Sequence, residues 1–497
     1  VMGGRCAGPP VDAEAGRGVA LRVEIDDEHD EADGGEGRAF TPLWLRAFRY
    51  VQLEIRTADE PLRIDDLHSL FVAYPFEQKA SFASDAAWLT PVWELNWRAL
   101  RLSAHETFWD TPYYEQLQYA GDTRTEALMS LYQSGAARLA RNAIRQLAQS
   151  RTADGITLSS YPSTLAQRIP PFSLWWVGMV HDYWMVRSDE AFVKEFLPGV
   201  RATLDWYEGR IDETGMVGPT PWWPFLDWSP DYSGGRPPGS DDGHSTAFSL
   251  QLVLALREAA DLEEALGRKE TALRNRALAD RLVAAVRARS WGPAPGLFLG
   301  APEVRRFGQQ TNALAILADA VPGDARAAVM TKIIEDKSLI QATLYFRYYV
   351  DEALYRSGMA DRYLEGLGPW RTMLRNGMTS TAESPEPSRS DSHAWSAHPN
   401  YHLLATLLGI RPGSPGFRTV RITPALGALR RASGRMPHPA GPIEVDLRRS
   451  GTRGITGMVR LPEGLSGEFR WNGASIALTG GSNLIACDAS CRDPRGD

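Results

Sequence analysis

Residues 123–150, TRTEALMSLYQSGAARLARNAIRQLAQS, place apolar side chains at Leu128, Leu131, Ala136, Leu139, Ile144 and Leu147. Steps of three and four residues are the period of a helix packed along one side. The spacing predicts one long helix here and similar helices over 172–186, 189–207, 245–262, 269–290, 309–320, 324–335, 342–357, 360–374 and 393–408; with a segment around 113–119 they number about eleven. Short turns alternate with long aromatic or Gly/Pro-rich loops, as in stacked helical hairpins. No repeat of fixed period is present, which argues against a regular solenoid. A closed ring of six hairpins, an (α/α)6 barrel, fits better, and long loops that all open on one side would form a single cleft.

Strand-like patterns flank this block. From Phe40 to about Arg101 the apolar runs are short and alternating, as in Phe48–Ile55 and 67–74, and read as the last strands of an antiparallel sandwich. Residues 1–40, acidic over 24–33, read as a flexible start or surface loop. After Arg411-Pro412-Gly413 come runs at 417–422, 443–447, 454–460 and 466–471, with a hairpin signal at Asn472-Gly473. The expected domains are therefore an N-terminal β-sandwich segment (1–101), a helical barrel (102–411) and a C-terminal β-sandwich (412–497). A chain of 497 residues exceeds the roughly 250–300 that one core supports.

Composition excludes several classes of function. Charged residues make up 23%, hydrophobic residues 43%, and the net charge is −7, so nothing points to nucleic acid. No stretch approaches the roughly 20 apolar residues of a membrane span, since 172–184 is interrupted by His181 and Asp182. The Val-Met-Gly-Gly start lacks a basic region before an apolar run, so a signal peptide is expected to be absent or removed, and cytoplasmic or secreted placement stays open. Cys6, Cys487 and Cys491 match no metal motif; free surface thiols are expected, with a 487–491 bridge as the alternative. The 16 Trp, 16 Tyr and 16 Phe exceed ordinary usage for Trp about twofold, and part of such an excess often lines grooves that stack on sugar rings.

Chemistry concentrates before the first long helix: Glu106, Asp110, Glu115 and Asp122 lie among five aromatic rings within 106–124. Breaking a glycosidic bond takes one carboxylic acid to protonate the departing oxygen and a second carboxylate to activate water or attack. Neighbouring rings desolvate an acid and favour its protonated form. Taken alone, Asp122 could equally cap its helix.

The run Asp110-Thr-Pro-Tyr-Tyr-Glu115-Gln-Leu-Gln-Tyr119-Ala-Gly-Asp122 resembles the signature of the α-L-rhamnosidases of glycoside hydrolase family 78. That resemblance implies Glu115 as general acid, Asp110 and Asp122 as binders of sugar hydroxyls, and Tyr119 against the ring where many members have Trp. Tyr113 replaces a usual Arg and Thr111 a usual Cys. A second carboxylate must come from elsewhere, because one short loop cannot flank both faces of a sugar. Gly377-Met-Thr-Ser-Thr-Ala-Glu383, followed by Ser392-His393-Ala-Trp395, is similar to the family's general-base segment, which implies Glu383 as base and His393 beside the sugar or the water. His393 could equally cap a helix or pack in the core. Two aromatic loops around Trp175-Trp176 and 221–232 offer Trp176 and Trp228 for the pocket wall. Asp227-Trp228 is similar to the family's Gly-Asp-Trp loop, which implies Asp227 as a further sugar-binding residue, and Gly308–Asn312 is similar to a polar helix start.

The resemblance spans roughly 40–480 and implies an inverting hydrolase of terminal α-L-rhamnosides. Its partner is a carbohydrate, it needs no metal or organic cofactor, and its two carboxyls are expected about 6.5–9.5 Å apart. The aglycone stays open, as does oligomeric state. A serine hydrolase is set aside for want of a Gly-x-Ser-x-Gly elbow. Another six-hairpin glycosidase, a sugar phosphorylase, a lyase using Tyr114 and His393, or a non-catalytic glycan binder are the rival expectations.

Overall fold

The computed structural model describes residues 20–25, 28–33, 39–42, 45–57, 59, 61–451 and 453–488, in two compact units divided between Val72 and Ala73. In the first unit, β1 (Ala20–Ile25), β2 (Glu28–Asp33) and β3 (Gln52–Arg56) form an antiparallel sheet in the order β2-β1-β3. The acidic stretch expected as a loop is therefore a hairpin. Leu21, Val23 and Ile25 alternate along β1, a period-two pattern that the flanking acids mask. Residues 67–74, expected as a strand, form none.

The second unit begins with β4 (Ser81–Ser84) and then α1 (Leu89–Leu102). Strands were expected here, but Leu89, Val92, Trp93, Leu95, Asn96, Ala99 and Leu100 form the buried stripe of a helix. The helical core continues with α2 (Ala120–Gln133), α3 (Arg138–Gln149), α4 (Pro170–Val186), α5 (Glu190–Glu208), α6 (Thr246–Ala265) and α7 (Lys269–Ser290). A small antiparallel sheet, β5 (Trp291–Gly292), β6 (Leu297–Ala301) and β7 (Val304–Phe307), interrupts the helices. Then come α8 (Gln309–Leu317), α9 (Arg326–Glu335), α10 (Arg347–Arg356), α11 (Gly368–Arg375) and α12 (Pro399–His402), the last embedded in helical turns over 394–407.

The stretch 123–150 is thus a hairpin of two helices. Gly135 supplies a positive φ of 72° at the turn, which the uninterrupted apolar spacing conceals. The two helices also differ in kind. All fourteen residues of α2 are buried, whereas α3 buries only Leu139, Ala140, Ala143, Ile144 and Leu147. That contrast separates an inner ring (α2, α4, α6, α8, α10 and 394–407) from an outer ring (α3, α5, α7, α9, α11 and α1), giving, among the described residues, five sequential hairpins and a sixth pair, 394–407 with α1, formed by the two ends of the helical sequence. Arg124 lies inside the ring, paired with Asp182 on α4 and Glu258 on α6, over the Trp175 ring. A Cβ on Gly178 would meet its guanidinium at 2.2 Å, so only glycine leaves it room.

Every short turn joins an inner helix to the following outer one, and every long loop returns to the next inner helix. The long loops therefore gather at the N-terminal end of the inner ring, and hydrogen bonds link them in turn. Ala120 N donates to Ser159 O, Trp223 N to Arg168 O, Gln309 N to Ile340 O, and Ala394 N to Asp110 O. Among the described residues no helix is long and apolar enough to cross a membrane.

The C-terminal strands are β8 (Ile410–Pro412), β9 (Thr419–Ile422), β10 (Arg431–Met436), β11 (Ile443–Ser450), β12 (Gly454–Leu461), β13 (Ser466–Trp471), β14 (Ala474–Leu478) and β15 (Gly481–Cys487). They form a five-stranded sheet, β15-β12-β11-β10-β4, and a four-stranded sheet, β14-β13-β9-β8, whose inward residues such as Val445, Val459, Phe469 and Ile485 share one apolar core. Asn472 and Gly473 make the expected hairpin turn with φ of 48° and 83°. Cys487, expected as a free surface thiol, is buried and disulfide-bonded. Cys6 and Cys491 lie outside the described residues.

Candidate active site

The loop between α1 and α2 is folded back on itself by Asp110. Its backbone N–H donates to Leu117 O and its Oδ1 accepts from Leu117 N, both at 2.9 Å. This closes a loop with Glu115 at its crest, next to Gln116, whose φ of 53° is a sparsely populated backbone state for a side-chain-bearing residue. Tyr119, in extended backbone, ends the loop and begins α2, which carries Asp122 in its first turn. A Cβ on Gly121 would sit 2.6 Å from the Phe172 ring and 2.9 Å from Tyr345 Oη, so glycine lets this turn press against α4 and the loop before α10.

Opposite stands the loop that follows α11. Glu383 N donates to Ser390 O, His393 N to Thr381 O, and Trp395 Nε1 to Glu383 O. Thr111 Oγ and Ser390 Oγ, 3.1 Å apart, join the two loops. Thr111 is thus a buried tie between the two loops.

Between the loops lies Arg389. Its Nη2 donates to Glu115 Oε1 at 2.9 Å and to Glu383 Oε1 at 3.0 Å, and its Nε donates to Glu383 Oε2 at 3.2 Å. The bonds of 2.9 and 3.0 Å together cap the separation of those two oxygens at 5.9 Å. Glu383 is almost fully buried, while Arg389 is 54% exposed at the mouth.

The remaining acids are enclosed. Burial, followed by the Glu115 and Asp122 charges, holds the Asp110 carboxyl well above the ordinary range. Burial does the same to Asp122, and to Glu126 one helical turn deeper, neither of whose carboxyl oxygens has a hydrogen-bond partner. Tyr119 is hydrogen-bonded to Glu115, and burial raises its phenol's pKa. His393 Nε2 lies 3.2 Å from Asp122 Oδ1, and burial lowers its pKa to about 4, so it is neutral at pH 7. The structure thus gathers Asp110, Glu115, Tyr119, Asp122, Glu383 and His393 around one site.

Two expected pocket residues sit differently. Trp176 belongs to the buried interior of α4; its Nε1 donates to Ile144 O on α3 and its ring meets Phe196 of α5, so it packs between the rings of helices rather than on an open wall. Asp227 is fully buried and accepts from Thr343 N, Thr343 Oγ1 and Gln310 Nε2, so its carboxylate ties its loop to α8 and to the loop before α10. Burial pushes its pKa up to about 6 despite those bonds. Trp228 is partly buried against Phe225 and Trp223. Arg389 and Glu126 were not singled out from the sequence. Glu126 had a signal, since a carboxyl four residues after Asp122 shares its helix face. Arg389, a lone cation in a Ser/Pro-rich loop, had none.

Among the described residues, two groups could converge on a cation: Asp351, His398 and His402, and His181, Asp182 and Glu258. Neither includes a residue of the cluster. Asp182 and Glu258 are already paired with Arg124, and Arg347 faces Asp351 and His398 while Arg411 faces His402.

Residues 77–407 match the family model of the bacterial alpha-L-rhamnosidase six-hairpin glycosidase domain, and residues 409–471 that of the bacterial alpha-L-rhamnosidase C-terminal domain. The chain belongs to the bacterial α-L-rhamnosidase family. An α-L-rhamnosidase of Alteromonas sp. (strain LOR) is 25% identical over 318 residues, covering 58% of this chain and 33% of that protein. The crystal structure of the family 78 rhamnosidase of Bacillus sp. GL1 superposes with a TM-score of 0.84 at 26% identity, covering 92% of this chain and 51% of that one. The Streptomyces avermitilis α-L-rhamnosidase, solved with L-rhamnose, shares the fold with a TM-score of 0.76 at 18% identity, covering 94% of this chain and 49% of that one. The chain thus spans about a third of the curated rhamnosidase and about half of these solved ones.

Proposed function

We propose that this rhamnosidase-family chain hydrolyses terminal non-reducing α-L-rhamnosyl residues of glycosides or polysaccharides with inversion, Glu115 acting as general acid and Glu383 as general base. The observation that carries this reading is the convergence of two glutamates, from loops at opposite ends of the helical sequence, on one guanidinium at the mouth of the barrel. Glu115 gives its proton to the glycosidic oxygen as the bond to the anomeric carbon breaks. Glu383 takes a proton from a water that attacks the opposite face. The enclosed carboxyls of Asp110 and Asp122 meet the ring hydroxyls. His393, neutral and bonded to Asp122, sets that carboxyl's orientation, Tyr119 donates to Glu115, and Trp228 contributes to the wall. Asp227 acts by bracing the loop that carries Trp228. A lyase pairing of Tyr114 with His393 has no support in the geometry: Tyr114 is exposed against Tyr113, while His393 is buried against Asp122.

The purified protein is expected to release p-nitrophenol and L-rhamnose from p-nitrophenyl α-L-rhamnopyranoside, and to leave the corresponding α-mannoside, β-glucoside and β-galactoside intact. Absence of turnover on this and on natural rhamnosides, with another glycoside cleaved, would replace the sugar assignment.

A further inference from the structure

Arg389 stands where two needs of this chemistry conflict. A general acid must face the departing oxygen, yet Glu115 is held by a hydrogen bond from Nη2 of Arg389. A general base must be ionised, and Glu383 receives two bonds from the same guanidinium, one to each oxygen, in the fork geometry that fixes a carboxylate most firmly. The grip is unequal. Arg389 and Glu383 share one loop, folded on itself by the Glu383 N to Ser390 O bond, whereas Glu115 is reached across the cleft by a single bond. Glu115 is also the more exposed partner, at 27% against 5% for Glu383. The cation meanwhile bridges Glu115 Oε1 and Glu383 Oε1, standing in the space that a sugar and a water between the two carboxyls need.

We propose that Arg389 is a positioning residue that keeps Glu383 in its fork throughout turnover and releases Glu115 when substrate enters, so that the space between the two carboxyls opens to the sugar and the water. The proposal rests on the assignment of Glu115 and Glu383 as acid and base. The charged groups facing the guanidinium are Glu115, Glu383 and Asp110, with Asp122, Tyr119 and His393 behind them. Among the described residues no other Lys or Arg forms an ion pair with either glutamate.

The test compares Arg389→Met, which removes the charge, with Arg389→Lys, which keeps the charge without the fork. In Arg389→Met both limbs of the pH profile of kcat/KM are expected to move up by about one unit or more, because loss of a neighbouring cation favours the protonated forms. Arg389→Lys is expected to lower kcat and leave the limbs near their wild-type positions. Equal losses in both variants with unmoved limbs would overturn the proposal. A readout without turnover accompanies it: 13C NMR titration of protein labelled at the glutamate carboxyls, with the two resonances identified by their disappearance in Glu115→Gln and Glu383→Gln. Midpoints that rise in Arg389→Met without any rhamnoside turnover would uphold the coupling and reject the sugar assignment. Turnover with unshifted midpoints and limbs would do the reverse.

Discussion

Glu383→Gln is expected to lower kcat by about 10²–10⁴, the usual contribution of a general base, while the protein stays folded. Glutamine fills the same space, keeps an oxygen for Arg389 to donate to and preserves the backbone bonds of Glu383, but it cannot take a proton from water. Glu115→Gln should lose a similar factor only on substrates whose leaving group needs a proton. With p-nitrophenolate, which departs readily as an anion, the loss should be smaller, whereas an alkyl or sugar leaving group should show the full effect. The Glu383 variant should be indifferent to the leaving group. Steady-state kinetics on the two substrate types check this, with melting curves confirming the fold. Either variant retaining more than about a tenth of wild-type turnover on a sugar aglycone would remove that residue from its role.

The largest expected effect on stability lies inside the helical ring. Arg124→Leu should cost about 3–5 kcal/mol, because it leaves Asp182 and Glu258, each only 18% exposed, without their cation. Replacing all three charged residues with apolar ones of similar volume should cost less than the single change, since the desolvation of the two acids disappears with them. Chemical denaturation of the variants checks the order. An Arg124→Leu protein within about 1 kcal/mol of the parent would show that the pair is solvated in solution. Arg124 lies two residues after Asp122 on α2, so its lock also fixes the turn that presents that carboxyl.

How legible these features were in the sequence follows from which force dominates at each position. The helical hairpins were visible because burial imposes a three-to-four residue period over long stretches. The turn at Gly135 was hidden because the apolar spacing runs on across it. The helix α1 was hidden because its apolar runs are short enough to mimic alternation. Trp176 was placed on the wall because adjacent tryptophans suggest a binding surface, yet an inner helix is apolar on every side and absorbs them. Asp227 reads as a sugar ligand only through the Asp227-Trp228 resemblance, because its true partners, Gln310 and Thr343, come from distant segments that no local pattern connects to it. The roles of Glu115 and Glu383 rest on the resemblance of their two segments to those of family 78. Arg389, which joins them in space, has no spacing to betray it.

The measurement that bears most directly on the account is one-dimensional 1H NMR of the rhamnose anomeric protons during the first turnovers, before mutarotation mixes them. Inverting hydrolysis through Glu115 and Glu383 predicts that the β-anomer appears first. Initial formation of the α-anomer would contradict the account and make Glu383 a nucleophile rather than a general base.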